Sequence, residues 1–204
     1  TAMSRLGLEV ILRSIFSSDL DRIVGREGAN PFAFLAEDPT RDLQTAVRFR
    51  NLARVILAVV ADRRRSGERP FDFLSLLMDA RDRKTGDGMT DKTPPAEINT
   101  LIIAGHETSA GTLNWCWYLL ARHPRVEARL IAELAEQTPG EAFTFDQLMD
   151  LRYAACVLKE TLRLYPPVWL FSRRALKADR LGDFVVPAGA HIFIAPYFLH
   201  RRPE

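Results

Sequence analysis

Apolar residues recur at helical spacing along the first part of the chain. From Ser4 to about Ile23 they fall every three or four positions (Leu8, Ile11, Leu12, Ile15, Phe16), and Gly25 and Gly28 then interrupt the pattern. One amphipathic helix is predicted there. A second helical stretch runs from about Arg41 to Arg65, opened by Pro39 and Thr40 and closed by Ser66-Gly67. Pro70-Phe71-Asp72 opens a third, which carries Phe73, Leu74, Leu76, Leu77 and Met78, and the polar, glycine-rich segment from Lys84 to Lys92 reads as a surface loop.

The next helix starts near Pro95, because a first-turn proline lacks only an N–H that has no helical partner, and it runs to about Ala121 before His123-Pro124 stops it. It is apolar nearly all the way round, from Ile98, Leu101, Ile102 and Ile103 to Leu113, Trp115, Trp117 and Leu119, which predicts a helix buried in the interior. Val126 to Gln137 forms a short helix, and Thr144 with Gln147 makes a capping box for the helix that carries Leu148, Met149 and Leu151. Tyr153 to Tyr165 forms another, ended by Pro166-Pro167. Beyond it the period shortens: Val168 to Leu176 and Phe184 to Ala195, with Pro187-Ala188-Gly189 as a turn, read as short strands. The expected fold class is mainly α, with a long central helix and a small late β-sheet.

The composition, 47% hydrophobic and 26% charged over 204 residues, suits a soluble chain with a sizeable core. A formal net charge of +2 gives no field strong enough to imply nucleic acid, and the Arg63-Arg64-Arg65 cluster reads as a solvated helix end favoured by the helix dipole. The longest apolar runs, Val55 to Ala61 and around Leu101 to Ala104, fall short of the roughly 18 residues of a membrane span. Thr1 to Arg5 shows no signal-peptide pattern, so no membrane segment and a cytoplasmic location are expected. Cys116 and Cys156 lack CxxC spacing and lie in helical patterns, where they suit small buried hydrophobes rather than a disulfide or zinc framework.

Candidate chemistry sits in the long helix. Ala104-Gly105-His106-Glu107-Thr108-Ser109 places an acid beside an alcohol in an apolar setting, where an unpaired carboxylate is expensive to bury. Ala104, Thr108 and Gly111 share a face, and Ala104 with Gly105 leaves room for a flat ligand near the backbone. Thr108 can return its hydroxyl to a carbonyl one turn back and open a groove. His106-Glu107 matches the first half of HExxH, but position 110 is alanine, so the second zinc ligand is missing. On this hexapeptide alone, close helix packing at Gly105 and Thr108 explains the residues equally well. Further on, Glu160 and Arg163 stand three residues apart in KETLRLYPP, a spacing that lets them form an ion pair.

Taken together, these motifs resemble the cytochrome P-450 family, whose oxygen-binding helix carries an alanine or glycine, a glycine, any residue, an acid and then threonine. The resemblance covers nearly all residues and implies a partial cytochrome P-450 fold, with residues 1–204 forming part of one catalytic domain truncated at both ends. By that resemblance Thr108 would hydrogen-bond iron-bound dioxygen or an ordered water, Glu107 would relay protons, and Ala104 and Gly105 would lie against the heme. Glu160 and Arg163 would be a buried structural pair tying their helix to a later segment. In Phe171-Ser172-Arg173-Arg174-Ala175 an arginine would meet a heme propionate; counting back from Asp179 favours Arg174, with Arg173 the alternative. Val168 to Phe171 would line a hydrophobic substrate pocket.

The resemblance implies a heme-thiolate monooxygenase that inserts one oxygen atom of O2 into a small organic substrate. Electrons would come from NAD(P)H through a reductase or ferredoxin-type partner. In the family the axial cysteine lies beyond the point matching Glu204, and Cys116 and Cys156 cannot substitute, so this chain supplies no metal ligand and by itself is expected to be inactive. The alternative is a non-catalytic helical scaffold or interaction module derived from the same fold.

Overall fold

The computed structural model describes residues 2–37, 43–88, 90, 93–137 and 144–203. Two helices, α1 (Ala2–Phe16) and α2 (Asp19–Glu27), stand where a single helix from Ser4 to Ile23 is expected. The apolar period continues across the join, so only the backbone reveals it. Ser17 adopts a φ of 49°, in the left-handed region, and its amide closes α1 on the Arg13 carbonyl at 2.8 Å.

A short α3 (Phe34–Glu37) precedes α4 (Leu43–Ser66), which is the second expected helix. Its start signals Pro39, Thr40 and Arg41 lie outside the described residues. Helix α5 (Phe73–Asp79) is capped by Asp72, whose carboxylate accepts the Ser75 amide hydrogen at 2.9 Å. The expected loop is present as a turn from residue 84, closed by a bridge between Arg81 and Gly88, while Met89, Asp91 and Lys92 lie outside the described residues. The long helix is α6 (Thr93–Arg122), 30 residues in length.

Two compact units divide the chain, Thr1–Ala110 and Gly111–Glu204, with α6 contributing to both. In the first unit one apolar cluster joins Leu8, Leu12, Ile15 and Phe16 of α1 to Leu20 and Ile23 of α2, and to the Leu52, Ile56, Val59 and Val60 stripe of α4. Leu74 of α5 and Ile98 and Ile102 of α6 complete it. Full burial of such side chains contributes roughly 1.5–3 kcal/mol each, which makes this cluster the main support of the unit.

Arg63 corrects the expectation of a solvated basic cluster. Its side chain is 1% exposed and binds the Asp19 carboxylate at 2.7 Å, both oxygens of Asp72 at 2.6 and 2.8 Å, the Ser75 hydroxyl at 3.0 Å and the Phe16 carbonyl at 3.2 Å. The reason is periodicity: residue 63 continues the buried stripe of α4 one turn past Val59. Burial works against the charge on Arg63, yet the carboxylates of Asp72 and Asp19 hold its pKa above the ordinary guanidinium value. Burial likewise pulls the Asp72 carboxyl up, but the Arg63 guanidinium, the Ser75 amide and the Ser17 hydroxyl hold it below the usual range. The left-handed turn at Ser17 thus has a use: it leaves the Phe16 carbonyl free of a helical partner and turned to Arg63.

The second unit contains α7 (Pro124–Gln137), α8 (Phe145–Asp150), α9 (Arg152–Leu164) and α10 (Pro196–Leu199). The strands β1 (Phe171–Arg174) and β4 (His191–Ile194) pair antiparallel with Phe171 opposite Ile194, and β2 (Asp179–Leu181) pairs antiparallel with β3 (Phe184–Val186). The late strands therefore make two small sheets rather than one. Gly182, at φ 58°, supplies the left-handed residue that the tight β2–β3 turn requires. The expected capping box is present: Gln147 donates its amide hydrogen to the Thr144 hydroxyl, and its side-chain oxygen accepts the Thr144 amide hydrogen at 2.9 Å.

Helix α6 is not buried all round. Ile98, Ile102, His106 and Ala110 form a buried stripe with a spacing of four, whereas Ile103, Trp115, Trp117 and Tyr118 are exposed. All-round apolarity states what a helix can bury, and burial also needs a covering surface on every side.

Helix α9 begins under a side chain from α7. The Glu133 carboxylate accepts the amide hydrogens of Tyr153 at 2.7 Å and Ala154 at 2.8 Å, satisfying two donors that the first helical turn leaves open. Glu133→Ala is expected to destabilise the chain by about 1–2 kcal/mol, the usual worth of a cap, and Glu133→Gln by less because its oxygen still accepts. Amide hydrogen exchange would show faster exchange confined to the start of α9; unchanged protection at Tyr153 and Ala154 would contradict the capping role.

Candidate active site

Helices α1 and α6 cross where each carries a glycine. A Cβ on Gly7 would lie 3.3 Å from the His106 carbonyl, and one on Gly105 would lie 2.8 Å from Cδ1 of Ile11. Each glycine therefore admits the facing helix. The space that Gly105 frees is filled by Ile11 and is not open to a ligand. His106, also on this side, is 3% exposed and donates from Nε2 to the Ser4 carbonyl at 3.0 Å, with the Ser4 hydroxyl at the same distance. Ala110, which takes the place of a second zinc ligand, is buried beside Gly7.

Ala104 and Thr108 lie elsewhere around the helix. Ala104 is exposed and Thr108 half-buried, and the Thr108 hydroxyl donates to the Ala104 carbonyl at 2.6 Å. This is the expected back-bond to the preceding turn. Glu107 is exposed rather than buried, so its carboxylate keeps contact with water. Gly111 has no atom within 4 Å of an added Cβ. The structure thus puts exposed Ala104 and half-buried Thr108 on one side of α6 and Gly105 and His106 in the helix crossing.

A flat cofactor can be tested against this arrangement. The Ala104–Thr108 side carries only small side chains, which suits a planar group such as heme, and the filled space at Gly105 does not. Among the described residues no cluster of His, Cys, Asp and Glu could hold a metal ion. Cys116 is buried in α6, whereas Cys156 is exposed on α9, against the expectation of two buried thiols.

Glu160 and Arg163 form a bidentate pair at 2.7 Å for both contacts. Their side chains are 54% and 44% exposed, so the pair is not buried as the resemblance implies. Arg163 holds the Glu160 carboxyl below its ordinary range, its hydrogen bonds outweighing the small opposing effect of burial. The expected tie to a later segment is present: Arg163 also donates to the His200 carbonyl at 2.8 Å, just after α10. Arg201, part of a His-Arg pair whose role the residue pattern leaves open, answers from the other side by donating to the Leu164 carbonyl and to the Tyr197 carbonyl. Glu160 borders an apolar groove of about 410 Å3 walled by Leu119, Val126, Cys156 and Val157.

Neighbouring residues of β1 point to opposite faces, which separates the two candidate arginines. Arg173 lies over the Phe171 ring at 4.8 Å and donates to the Ser172 carbonyl. Arg174 stands opposite His191, is exposed, and has no carboxylate partner among the described residues. Val168, Trp169 and Leu170 are exposed and Phe171 is half-buried.

The Cytochrome P450 family model matches residues 27–204. The cyclooctat-9-en-7-ol 5-monooxygenase of Streptomyces melanosporofaciens is 34% identical over 218 residues, which covers 99% of this chain and 48% of that protein. The pentalenene oxygenase of Streptomyces avermitilis is 35% identical over 162 residues, 78% of this chain and 36% of that one. The crystal structure of the cytochrome P450DA heme domain matches with a TM-score of 0.80 at 29% identity, over 99% of this chain and 48% of that chain. The chain spans about half the length, or less, of these relatives.

Proposed function

The chain belongs to the cytochrome P450 family, and from that premise we propose that a full-length protein carrying it is a heme-thiolate monooxygenase, inserting one oxygen atom of O2 into a small hydrophobic substrate. Residues 1–204 would form part of its single catalytic domain. The heme, when bound, supplies the oxygen and redox chemistry. Ala104 and Thr108 would face it, Gly105 would support that face by holding α6 against α1, and Arg174 would meet a propionate with its bidentate fork. The structural pair Glu160 and Arg163 would hold α9 to the segment after α10.

The observation that carries this reading is the Thr108 hydroxyl, turned back onto Ala104 at 2.6 Å beside an exposed Glu107. Its hydroxyl can accept a hydrogen bond from a water and then donate by rotating, while Glu107 exchanges protons with solvent. A proton can so be delivered to a developing negative charge in an otherwise apolar setting. Electrons would come from NAD(P)H through a reductase or ferredoxin-type partner. The substrate class rests on the relatives named for cyclooctat-9-en-7-ol and pentalenene and on the exposed apolar residues Val168, Trp169 and Leu170. No described helix is long and apolar enough to cross a membrane, in keeping with a cytoplasmic site of action.

The test is Thr108→Ala in a full-length protein. Product formed per electron consumed is expected to fall several-fold while electron consumption continues, and the reduced carbon monoxide spectrum is expected to be retained. Unchanged coupling would overturn the role of Thr108. Absence of that spectrum in the unaltered full-length protein would instead favour a scaffold without chemistry.

A further inference from the structure

We propose that Trp115 is a redox-active residue, the point at which one-electron oxidation of this chain localises. An aromatic ladder in the second unit carries the argument. Trp115 of α6 and Tyr165 at the end of α9 stack face to face, with centroids 3.9 Å apart and planes within 2°. Tyr118 presents an edge to both, at 5.6 and 6.4 Å. Guanidinium groups attend the tyrosines: Arg122 lies over Tyr118 at 5.7 Å, and Arg201 lies 5.5 Å over Tyr165 and 3.7 Å over Tyr197. Among the described residues none lies over Trp115.

A ring that loses an electron becomes a cation. A stacked neighbour shares that charge and eases the loss, whereas a guanidinium over the ring opposes it, by the same electrostatics that attract the cation to the neutral π face. Within the stacked pair the guanidinium lies over Tyr165, and no described cation lies over Trp115 itself, so the positive charge settles on the indole. Phenol oxidation also requires a base for the phenolic proton. The Tyr118 hydroxyl faces a donor, Arg122 at 3.4 Å, and no described carboxylate or imidazole bonds the Tyr165 hydroxyl. Arg201, bonded to the Tyr197 and Leu164 carbonyls, keeps Tyr165 in place for the stack.

The step balances with any external one-electron oxidant: the indole of Trp115 gives up one electron, the oxidant is reduced by one, and the indole N–H proton passes to water. At 42% exposure Trp115 can meet both oxidant and water. It needs no cofactor and does not depend on the monooxygenase reading. Exposure alone would select the other tryptophans, since Trp117 is 58% and Trp169 56% exposed, and neither has a ring partner among the described residues.

Azide radicals generated by pulse radiolysis, each ending as azide anion, supply the test. After limited oxidation and digestion, mass spectrometric mapping of Trp115, Trp117 and Trp169 is expected to find most of the modified tryptophan at Trp115. Modification that follows exposure, with Trp117 and Trp169 ahead, overturns the proposal on the unaltered chain alone. Tyr165→Leu, with helix content checked by circular dichroism, is expected to remove the preference. Tyr165→Phe keeps the stacked ring and is expected to retain it; loss of the preference in Tyr165→Phe would assign the effect to the phenol and overturn the role of the stack.

Discussion

Arg63→Ala is expected to destabilise the chain by about 3–5 kcal/mol, the range for removing one partner of a buried ion pair. Asp19 and Asp72, each 5% exposed, would be left facing each other without the cation, and the Phe16 carbonyl and Ser75 hydroxyl would each lose a donor. Against a typical total of about 5–15 kcal/mol, such a loss is enough to unfold a marginal domain. Urea denaturation followed by circular dichroism measures it. A change below about 1 kcal/mol, the worth of an exposed pair, would mean that Arg63 is solvated after all. Arg63→Met is expected to cost nearly as much, because it restores packing while leaving Asp72 without a cation and Asp19 with only the half-exposed Arg22 at 2.9 Å.

The same network sets an acid limit. The Asp72 carboxyl is held below its unfolded value, so its contribution is fully present above the unfolded carboxylate range, at about pH 4 and higher, and is lost as pH falls through the folded value. Stability is therefore expected to drop on acidification below about pH 4, and Asp72→Asn should flatten that part of the profile while lowering stability at neutral pH. An unaltered acid limb in Asp72→Asn would assign the limb to other carboxylates.

Gly105→Val carries the second large effect. A Cβ there would stand 2.8 Å from Cδ1 and 3.2 Å from Cγ1 of Ile11, and valine adds two more methyl groups at the α1–α6 crossing. Overpacking of this kind costs about 1–3 kcal/mol. Gly105→Ala is milder, because the tip of Ile11 is flexible and alanine recovers roughly 0.5–1 kcal/mol of helix propensity. Ile11→Ala in the same chain should relieve most of the valine penalty, which a double-mutant cycle would read as coupling of about 1 kcal/mol. Additive effects would show that the two side chains do not meet. If Gly105 instead faced open space, Gly105→Ala would stabilise the chain through propensity alone.

Much of the fold was legible in the residue pattern. The spans of α4, α5, α6, α7 and α9, the Thr144–Gln147 capping box and the late change to strands follow from local rules, since each depends on neighbours a few positions away. So did the Thr108 back-bond and the Glu160–Arg163 pair, both within one helical turn. The break at Ser17 was hidden because apolar spacing runs through it. Arg63 was readable in part, since it continues the spacing of Leu52, Ile56 and Val59, but a basic triplet at a helix end has the same composition whether it is wet or buried.

The sequence by itself determined the family, most of the helices from α4 to α9 and the placing of an acid and an alcohol at the centre of α6, because motifs and periodicity are properties of neighbours along the chain. Tertiary structure alone decided which side of α6 each motif residue faces. Gly105 lies against Ile11, His106 bonds Ser4, and Thr108 turns back onto Ala104 on another side. It also decided that Arg63 is paired inside while Glu160 and Arg163 stay half in water, and that Trp115 stacks on Tyr165 with the guanidinium over the tyrosine ring rather than its own. Burial and partner choice depend on residues distant in sequence: His106 and Ser4 are 102 positions apart, and no local pattern encodes which surfaces meet across such a separation.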